Sequence, residues 1–455
     1  MNSTEKPYLV TVVGAGPAGI YAARQLVQSG VRVVLLNRDI KPGGLAEYGI
    51  YYDKYKMKSG LRRQFRSILE AEHIDYYGNV TVGEHGDFSL NDLKKAGFQA
   101  VLVTVGAQGT KWLGLPGEDL EGVYHAKDLV YHYNRLPPYS TEEFRICKRV
   151  ALIGVGNVML DIAHWLVRDL KVEEVVAVAR RGPAEVKFTK AEMEHVASNL
   201  DLEALDAEIK RCQPVMEAMG QDIEAAKTFI LAGLERADKR ISDTCFHFDF
   251  LASPSRIIGD EKGRVQGLEV EETTLELRPD GDTKAVRTGN FRVLDVDSVI
   301  FCIGDRVDED FGLPVKWNEF IKSPQPDYPV DGNSYEAYDP QAEASMEGVF
   351  VAGWARQASH GLVGMARKDG ENGARAVMQY LTQTQKPRTD AYDVLERFKR
   401  RLEALDHPVV NKTEWRRLEH IEAKIAEEKD VEAYKFRTNT EMLEVLGLVP
   451  ISSIG

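Results

Sequence analysis

Six residues near the N-terminus, Gly14-Ala15-Gly16-Pro17-Ala18-Gly19, have the types and spacing to hold a pyrophosphate. Gly14 allows a tight turn, Gly16 lets backbone approach the phosphates with no Cβ between, and Gly19 lets the following helix lie close to the strand. Pro17 and Ala18 open that helix, whose first N–H groups and positive dipole end face the anion. A second cradle, Gly154-Val155-Gly156-Asn157-Val158, follows Arg149, with Met159 where the fingerprint has a third Gly or an Ala. The strand after it ends in Arg180-Arg181, and two guanidinium forks there suit a ribose 2′-phosphate that an acidic residue would repel. This predicts NADPH over NADH. Near the C-terminal third, Gly361 to Gly364 open an apolar, small-residue helix, where backbone N–H groups can stabilise negative charge on a reduced ring. Trp354 supplies a flat apolar surface just before it.

The elements that must position these residues read as an alternation of strand and helix, the pattern of an α/β fold with parallel sheets. The first βαβ unit runs from about Tyr8 to Arg38, and its second strand ends at Asn37, where an acidic residue usually accepts hydrogen bonds from an adenosine ribose. The loop from Lys41 to Ile50, with Gly44 and Leu45, is either a surface turn or backbone lying against an extended cofactor. A helix over KMKSGLRRQFRSILEAEHI follows, then a strand pair DYYGNVTVG with Val82 at its end, then a buried strand AVLVTVGA closed by Gly106. The texture changes to turns from Gln108, and the second unit begins at Arg149. Residues Thr189 to Arg240 read as charged helices; FHFDFLASPSRII, GRVQGLEVEETTLEL and GNFRVLDV read as an antiparallel meander. GVFVAGW then returns to the first domain. The expected organisation is two Rossmann-like domains, the second (108–320) inserted in the first (1–107 and 321–384), with a helical appendage over 385–455.

Bulk properties narrow the class. A chain of 455 residues with 43% hydrophobic and 28% charged content is an ordinary globular composition, long enough for two or three domains. Net charge of -13 argues against general nucleic-acid affinity, since counterion release needs a basic surface. Cys147, Cys212, Cys245 and Cys302 lie far apart, which disfavours a dithiol redox centre, a zinc ribbon or an iron-sulfur cluster. The polar start MNSTEKPYLV carries no apolar segment, so the expected location is cytoplasmic. Arg236, Lys239 and Arg240 are either a solvated helix face or a docking patch for an acidic partner.

The succession VGAGPAGIYAA, GGLAEYGI, YYGNVTVG, LPGEDLEGV, IGVGNVMLDIA, ARRGPAEVKFTKAE, FLASPSRII, FCIG and FVAGW resembles the adrenodoxin-reductase-like ferredoxin–NADP⁺ reductases. The glutamate synthase small-subunit flavoproteins share a subset of these motifs. The resemblance implies FAD along Ala18 and its glycine loop, Asn37, Leu45, Val82, Trp354, Gly361, Leu362 and Val363. It implies NADPH on Val155, Gly156, Asn157, Val158, Arg180, Arg181 and Glu192, with Gly361 near the nicotinamide, and a ferredoxin-type electron acceptor. Three departures stand out. Asn37 replaces the family's Glu; Lys54 replaces the His paired with the Asp that matches Asp161; and Gln357-Ala358-Ser359-His360 replaces R-G-P-T before the flavin helix. The expected reaction is hydride transfer from NADPH to flavin N5, then release of single electrons, with no side chain acting as general base. The rivals are an electron-input subunit like that of glutamate synthase, disfavoured because Cys147 is the first cysteine, and a flavin-bearing structural subunit without turnover.

Overall fold

The computed structural model describes residues 7–358, 361, 363–384 and 390–450. They form two compact units. The first holds the described residues up to Thr110, Tyr131–Thr141 and those from Gly304 on; the second holds Lys111–Val130 and Glu142–Ile303. The expected inserted span, 108–320, is thus divided differently. Residues 131–141 belong with the first unit because Tyr131 and Leu136 pack on Tyr48, and residues after 304 because Val307, Phe311, Leu313 and Phe320 enter its core.

The first unit is built on a seven-stranded sheet in the order Glu336–Asp339, Ala344–Val351, Ala100–Val103, Leu9–Val13, Arg32–Asn37, Ile74–Gly78 and Val410–Asn411. The five inner strands run parallel and the two outermost pair antiparallel. Parallel strands covered on both faces must be apolar throughout, and LVTVV and AVLV are buried at every position. Alternate side chains feed two separate cores. Val10, Val12, Val33 and Leu35 face one, with helices Pro17–Gln28 and Val363–Gln383; Leu9, Val13, Val34 and Leu36 face the other.

The C-terminal segment, expected as a helical appendage wrapped on the body, packs into the first unit. Val410–Asn411 adds an edge strand beside Ile74–Gly78, Trp415 packs on Tyr76 with ring centroids 6.0 Å apart, and Phe398 sits between Phe88 and Phe98. Helices Ala391–Glu403 and Lys412–Glu428 are amphipathic, and their apolar stripes have no other core to enter. The expected strand pair DYYGNVTVG is one strand, Ile74–Gly78, followed by an isolated bridge from Val82 to Phe88.

In the second unit five parallel strands run in the order Val123–His125, Ser298–Phe301, Arg149–Ile153, Glu174–Val178 and Cys245–Asp249. The first member of the expected meander, FHFDFLASPSRII, is split in two here. Cys245–Asp249 pairs parallel with Glu174–Val178, and only Ala252–Gly259, Val265–Leu277 and Thr283–Leu294 form the antiparallel sheet. Its position at the sheet edge leaves Cys245 and His247 half-buried, so its alternation imitates an antiparallel strand. No helix among the described residues is long and apolar enough to cross a membrane.

Candidate functional site

In the first unit, the strand Leu9–Val13 delivers the chain to a turn pinned by Thr104. Its hydroxyl donates to the carbonyls of Val13 and Gly14 at 3.0 and 2.8 Å. Gly14 has φ +102, and a Cβ there would lie 2.7 Å from the Thr104 carbonyl oxygen; one on Gly19 would lie 1.9 Å from that of Gly14. Both glycines are therefore required by the protein itself. Gly16 differs. It is the N-cap of helix Pro17–Gln28, carries no side-chain cap, and a Cβ on it would meet nothing nearer than the Gly44 Cα at 4.0 Å. An uncapped helix start facing open space fits a pyrophosphate. Helix Val363–Gln383 crosses at Ala18, where Gly370 has no room for a side chain: a Cβ would lie 2.1 Å from the Ala18 carbonyl oxygen.

Asn37 is buried and fully engaged by backbone. Its Oδ1 accepts from the Ala15 N–H at 2.9 Å, and its Nδ2 donates to the carbonyls of Asp39 and Lys41 at 2.8 and 3.1 Å. It braces the glycine turn, which the expectation of a ribose contact did not foresee. Gly44 and Leu45 lie directly on that turn. The Gly43 N–H donates to the Ala15 carbonyl at 2.7 Å, and Leu45–Tyr48 forms one helical turn after Gly44, φ +49. Val82 is buried in the same core as Leu9 and Val13, and Gly106, φ +75, turns the chain after Ala100–Val103.

Under this loop lies a buried charge cluster that the sequence reading missed. Glu47 accepts both forks of Arg62 at 2.7 and 2.6 Å and meets Lys435 at 2.9 Å, while Lys41 pairs with Glu422. Burial raises the Glu47 pKa, but Lys435, Lys41 and Arg62 outweigh it and hold the carboxyl well below its ordinary range. Lys58, which donates to Asn134, is pushed down to about 6 by burial and then by Lys435. Lys435 is pushed down to about 8, burial again being the leading cause. The cluster ties the loop over the glycine turn to the C-terminal helices.

At the other end of the first unit, Gly353–Ala355 forms a short turn holding half-buried Trp354. Asp369 fixes it. Its carboxylate accepts from the Gly353 N–H at 2.6 Å, from Tyr335 at 3.0 Å, and from Arg356 at 2.9 and 2.6 Å. Glycines inside helix Val363–Gln383 were the available signal for close approach, since glycine there otherwise costs helix stability. Gly361 has φ +75 and Val363 begins the helix; Ser359, His360 and Leu362 lie outside the described residues. Lys54 is the N-cap of helix Tyr55–Leu69 in the first unit, and Asp161 stands on helix Asn157–Trp165 of the second.

The second cradle repeats the first. Gly154, φ +119, would clash with the Cys302 carbonyl oxygen at 2.6 Å if it carried a Cβ, whereas Gly156 is an uncapped N-cap with nothing within 4 Å. Met159, at the non-glycine fingerprint position, is fully buried. The Asn157 Oδ1 accepts from the Thr189 N–H at 2.8 Å, the Val155 carbonyl accepts from the Lys187 N–H at 2.8 Å, and Val158 is exposed. Arg180 is exposed and Arg181 half-buried, just past the C-terminal end of Glu174–Val178; the Arg181 guanidinium has Asp282 at 3.5 Å. Glu192, on Lys190–Met193, is half-buried, and Arg236, Lys239 and Arg240 are exposed. In each unit an anion cradle sits at the C-terminal edge of a parallel sheet, the general ligand position in such folds.

This is the architecture of a two-dinucleotide oxidoreductase, and the chain belongs to the pyridine nucleotide-disulphide oxidoreductase family, whose model matches residues 8–243. Among its relatives, the mitochondrial NADPH:adrenodoxin oxidoreductase of Arabidopsis thaliana is 27% identical over 394 residues, 80% of each chain. The NADPH-ferredoxin reductase FprA of Mycobacterium leprae is 26% identical over 473 residues, covering 96% of this chain and 98% of its own. The atomic-resolution structure of FprA, a Mycobacterium tuberculosis oxidoreductase, matches with TM-score 0.80 and 25% identity over 97% of this chain and 99% of its own.

Proposed function

We propose that the chain is an NADPH-dependent FAD oxidoreductase delivering electrons to a ferredoxin-type iron-sulfur protein. Two uncapped glycine cradles, each at a parallel-sheet edge, with two arginines after the strand of the second, are the observation that carries this reading. When bound, FAD would supply hydride acceptance from NADPH and one-electron release. The rest is positioning by this chain. Gly14, Gly16, Pro17, Ala18 and Gly19 present the first helix start to the FAD pyrophosphate, with Gly44 and Leu45 over the turn and Val82 and Gly106 below it. The ring end is assigned to Trp354, Gly361, Leu362 and Val363, a stretch whose backbone N–H groups would favour negative charge. Val155, Gly156, Asn157 and Val158 hold the NADPH pyrophosphate, Arg180 and Arg181 its 2′-phosphate, and Glu192 contacts the coenzyme.

The first unit serves as the FAD-binding domain, and the second, Lys111–Val130 and Glu142–Ile303, as the NADP-binding domain. The acidic electron carrier docks through Arg236, Lys239 and Arg240, in the cytoplasm. The test is to purify the protein, identify its flavin and mix it with NADPH. Rapid bleaching of the flavin spectrum, followed by faster reoxidation by a ferredoxin than by a quinone or oxygen, is the expected result. A colourless protein unable to take up FAD would end this account.

A further inference from the structure

Apart from the glycine cradle, the second unit brings two imidazoles and a carboxylate to one point. His164 stands on helix Asn157–Trp165 and is 5% exposed, His195 follows the turn Lys190–Met193, and Asp238 lies just beyond Ala232–Arg236. One nitrogen from each ring and one carboxylate oxygen all lie within 4.8 Å of one another. The two rings are stacked, with centroids 4.9 Å and planes 4° apart, and the His195 Nδ1 meets the Asp238 Oδ2 at 2.8 Å.

The two elements that carry His195 and Asp238 are braced against each other independently of these side chains. The Asp238 N–H donates to the Glu194 carbonyl at 3.0 Å, Lys190 pairs with Glu235 at 2.7 Å, and Gly233 lies so close to Met193 that a Cβ would come within 2.8 Å. The donor atoms therefore lie near one another before any ligand arrives, and binding has only the two rings and the carboxylate to reorient. Two imidazoles and a carboxylate are a donor set for zinc and its neighbours in the first transition row. Tetrahedral zinc with bonds of about 2.0–2.2 Å needs donor atoms roughly 3.3–3.6 Å apart, so the two stacked rings must tilt out of parallel for both lone pairs to meet one cation. Three protein donors leave one coordination position, and the Glu192 Oε2 lies 4.0 Å from the His195 Nε2.

We propose that His164, His195 and Asp238 form a binding site for a single divalent transition-metal cation of the zinc class. Nothing in this assignment depends on the identity of the electron acceptor. Asp238 shares its loop with Arg236, Lys239 and Arg240, so a bound cation would hold that loop against the turn that carries Glu192. The competing account, a His–Asp hydrogen bond serving only as a brace, predicts no affinity for a cation.

The experiment uses chelator-treated holoenzyme titrated with Zn²⁺ alone, read by competition with a chromophoric chelator and by metal analysis after gel filtration. The expected result is one Zn²⁺ per chain at micromolar concentration and a raised melting temperature, since a ligand of the folded state alone stabilises it. Asp238→Asn and His195→Gln should each weaken binding at least tenfold while retaining full FAD content, which reports that the variants are folded. Failure to bind one Zn²⁺ per chain, or wild-type affinity for Zn²⁺ in either variant, would overturn the site.

Discussion

Asn37 shows what a single position does when it departs from a family pattern. Its two Nδ2 donor bonds run to carbonyls of the loop at Asp39 and Lys41, and its Oδ1 takes the Ala15 N–H. Glutamate has no donor, and its charged oxygen would face two carbonyls. Restoring the family residue by Asn37→Glu is therefore expected to weaken FAD retention and lower stability by about 1–3 kcal/mol, the cost of buried groups left unsatisfied. Thermal unfolding and flavin retained after gel filtration check this, and tighter FAD binding by the variant would instead make Asn37 a ribose residue. At Arg180 and Arg181 the proposed 2′-phosphate role rests on position, because the strand end after a nucleotide cradle is where such folds hold the ribose. Replacing both with Gln is expected to raise the KM for NADPH at least tenfold more than that for NADH, each charge-assisted contact contributing about 1.5–3 kcal/mol. Equal effects on the two coenzymes would remove the 2′-phosphate role. Asn37 could not be read in this way, since its function depends on which backbone groups the fold brings within 3 Å, and no sequence spacing encodes that.

At the level of elements, the buried parallel strands were legible as unbroken apolar runs, and the two cradles as glycines between strand and helix. Two elements were not. Cys245–Asp249 has an edge strand's alternation, and Val410–Asn411 is two residues long, too short for any period to show. The helix Tyr55–Leu69 hides a further feature: it turns Lys58 inward, 3% exposed, towards Asn134 and the cationic cluster around Glu47. This carries a pH signature. The Lys58 amine titrates near 6 when folded, against 10.5 ordinarily, so between those values the unfolded chain binds more protons than the folded one. Stability from this group therefore rises with pH, by up to about 1.4 kcal/mol per unit; it is complete above the ordinary value and lost as pH falls to the folded one. Lys58→Met abolishes that slope. Unfolding measured from pH 6 to pH 9 should show the variant gaining most over the wild type at pH 6 and least at pH 9, and parallel profiles would mean that Lys58 is charged in the folded protein.

Across the whole molecule, charge sets the terms on which an electron carrier can approach. At net charge -13 the surface repels an acidic iron-sulfur protein at long range, so encounter requires a local patch of opposite sign. Arg236, Lys239 and Arg240 are exposed within five residues of one another in the second unit. Interactions between exposed charges are screened beyond roughly 10 Å at 0.1 M salt, so a patch of this kind acts on the association rate and loses effect as salt is added. Changing all three residues to Glu alters local charge by six and leaves both cradles untouched. The triple variant is expected to show wild-type flavin bleaching by NADPH, at least tenfold slower reduction of an acidic ferredoxin at low salt, and a rate that rises rather than falls with ionic strength. If ferredoxin reduction keeps the wild-type rate and salt dependence while bleaching is normal, the carrier docks elsewhere on this acidic surface, and the net repulsion must be overcome by contacts other than these three cations.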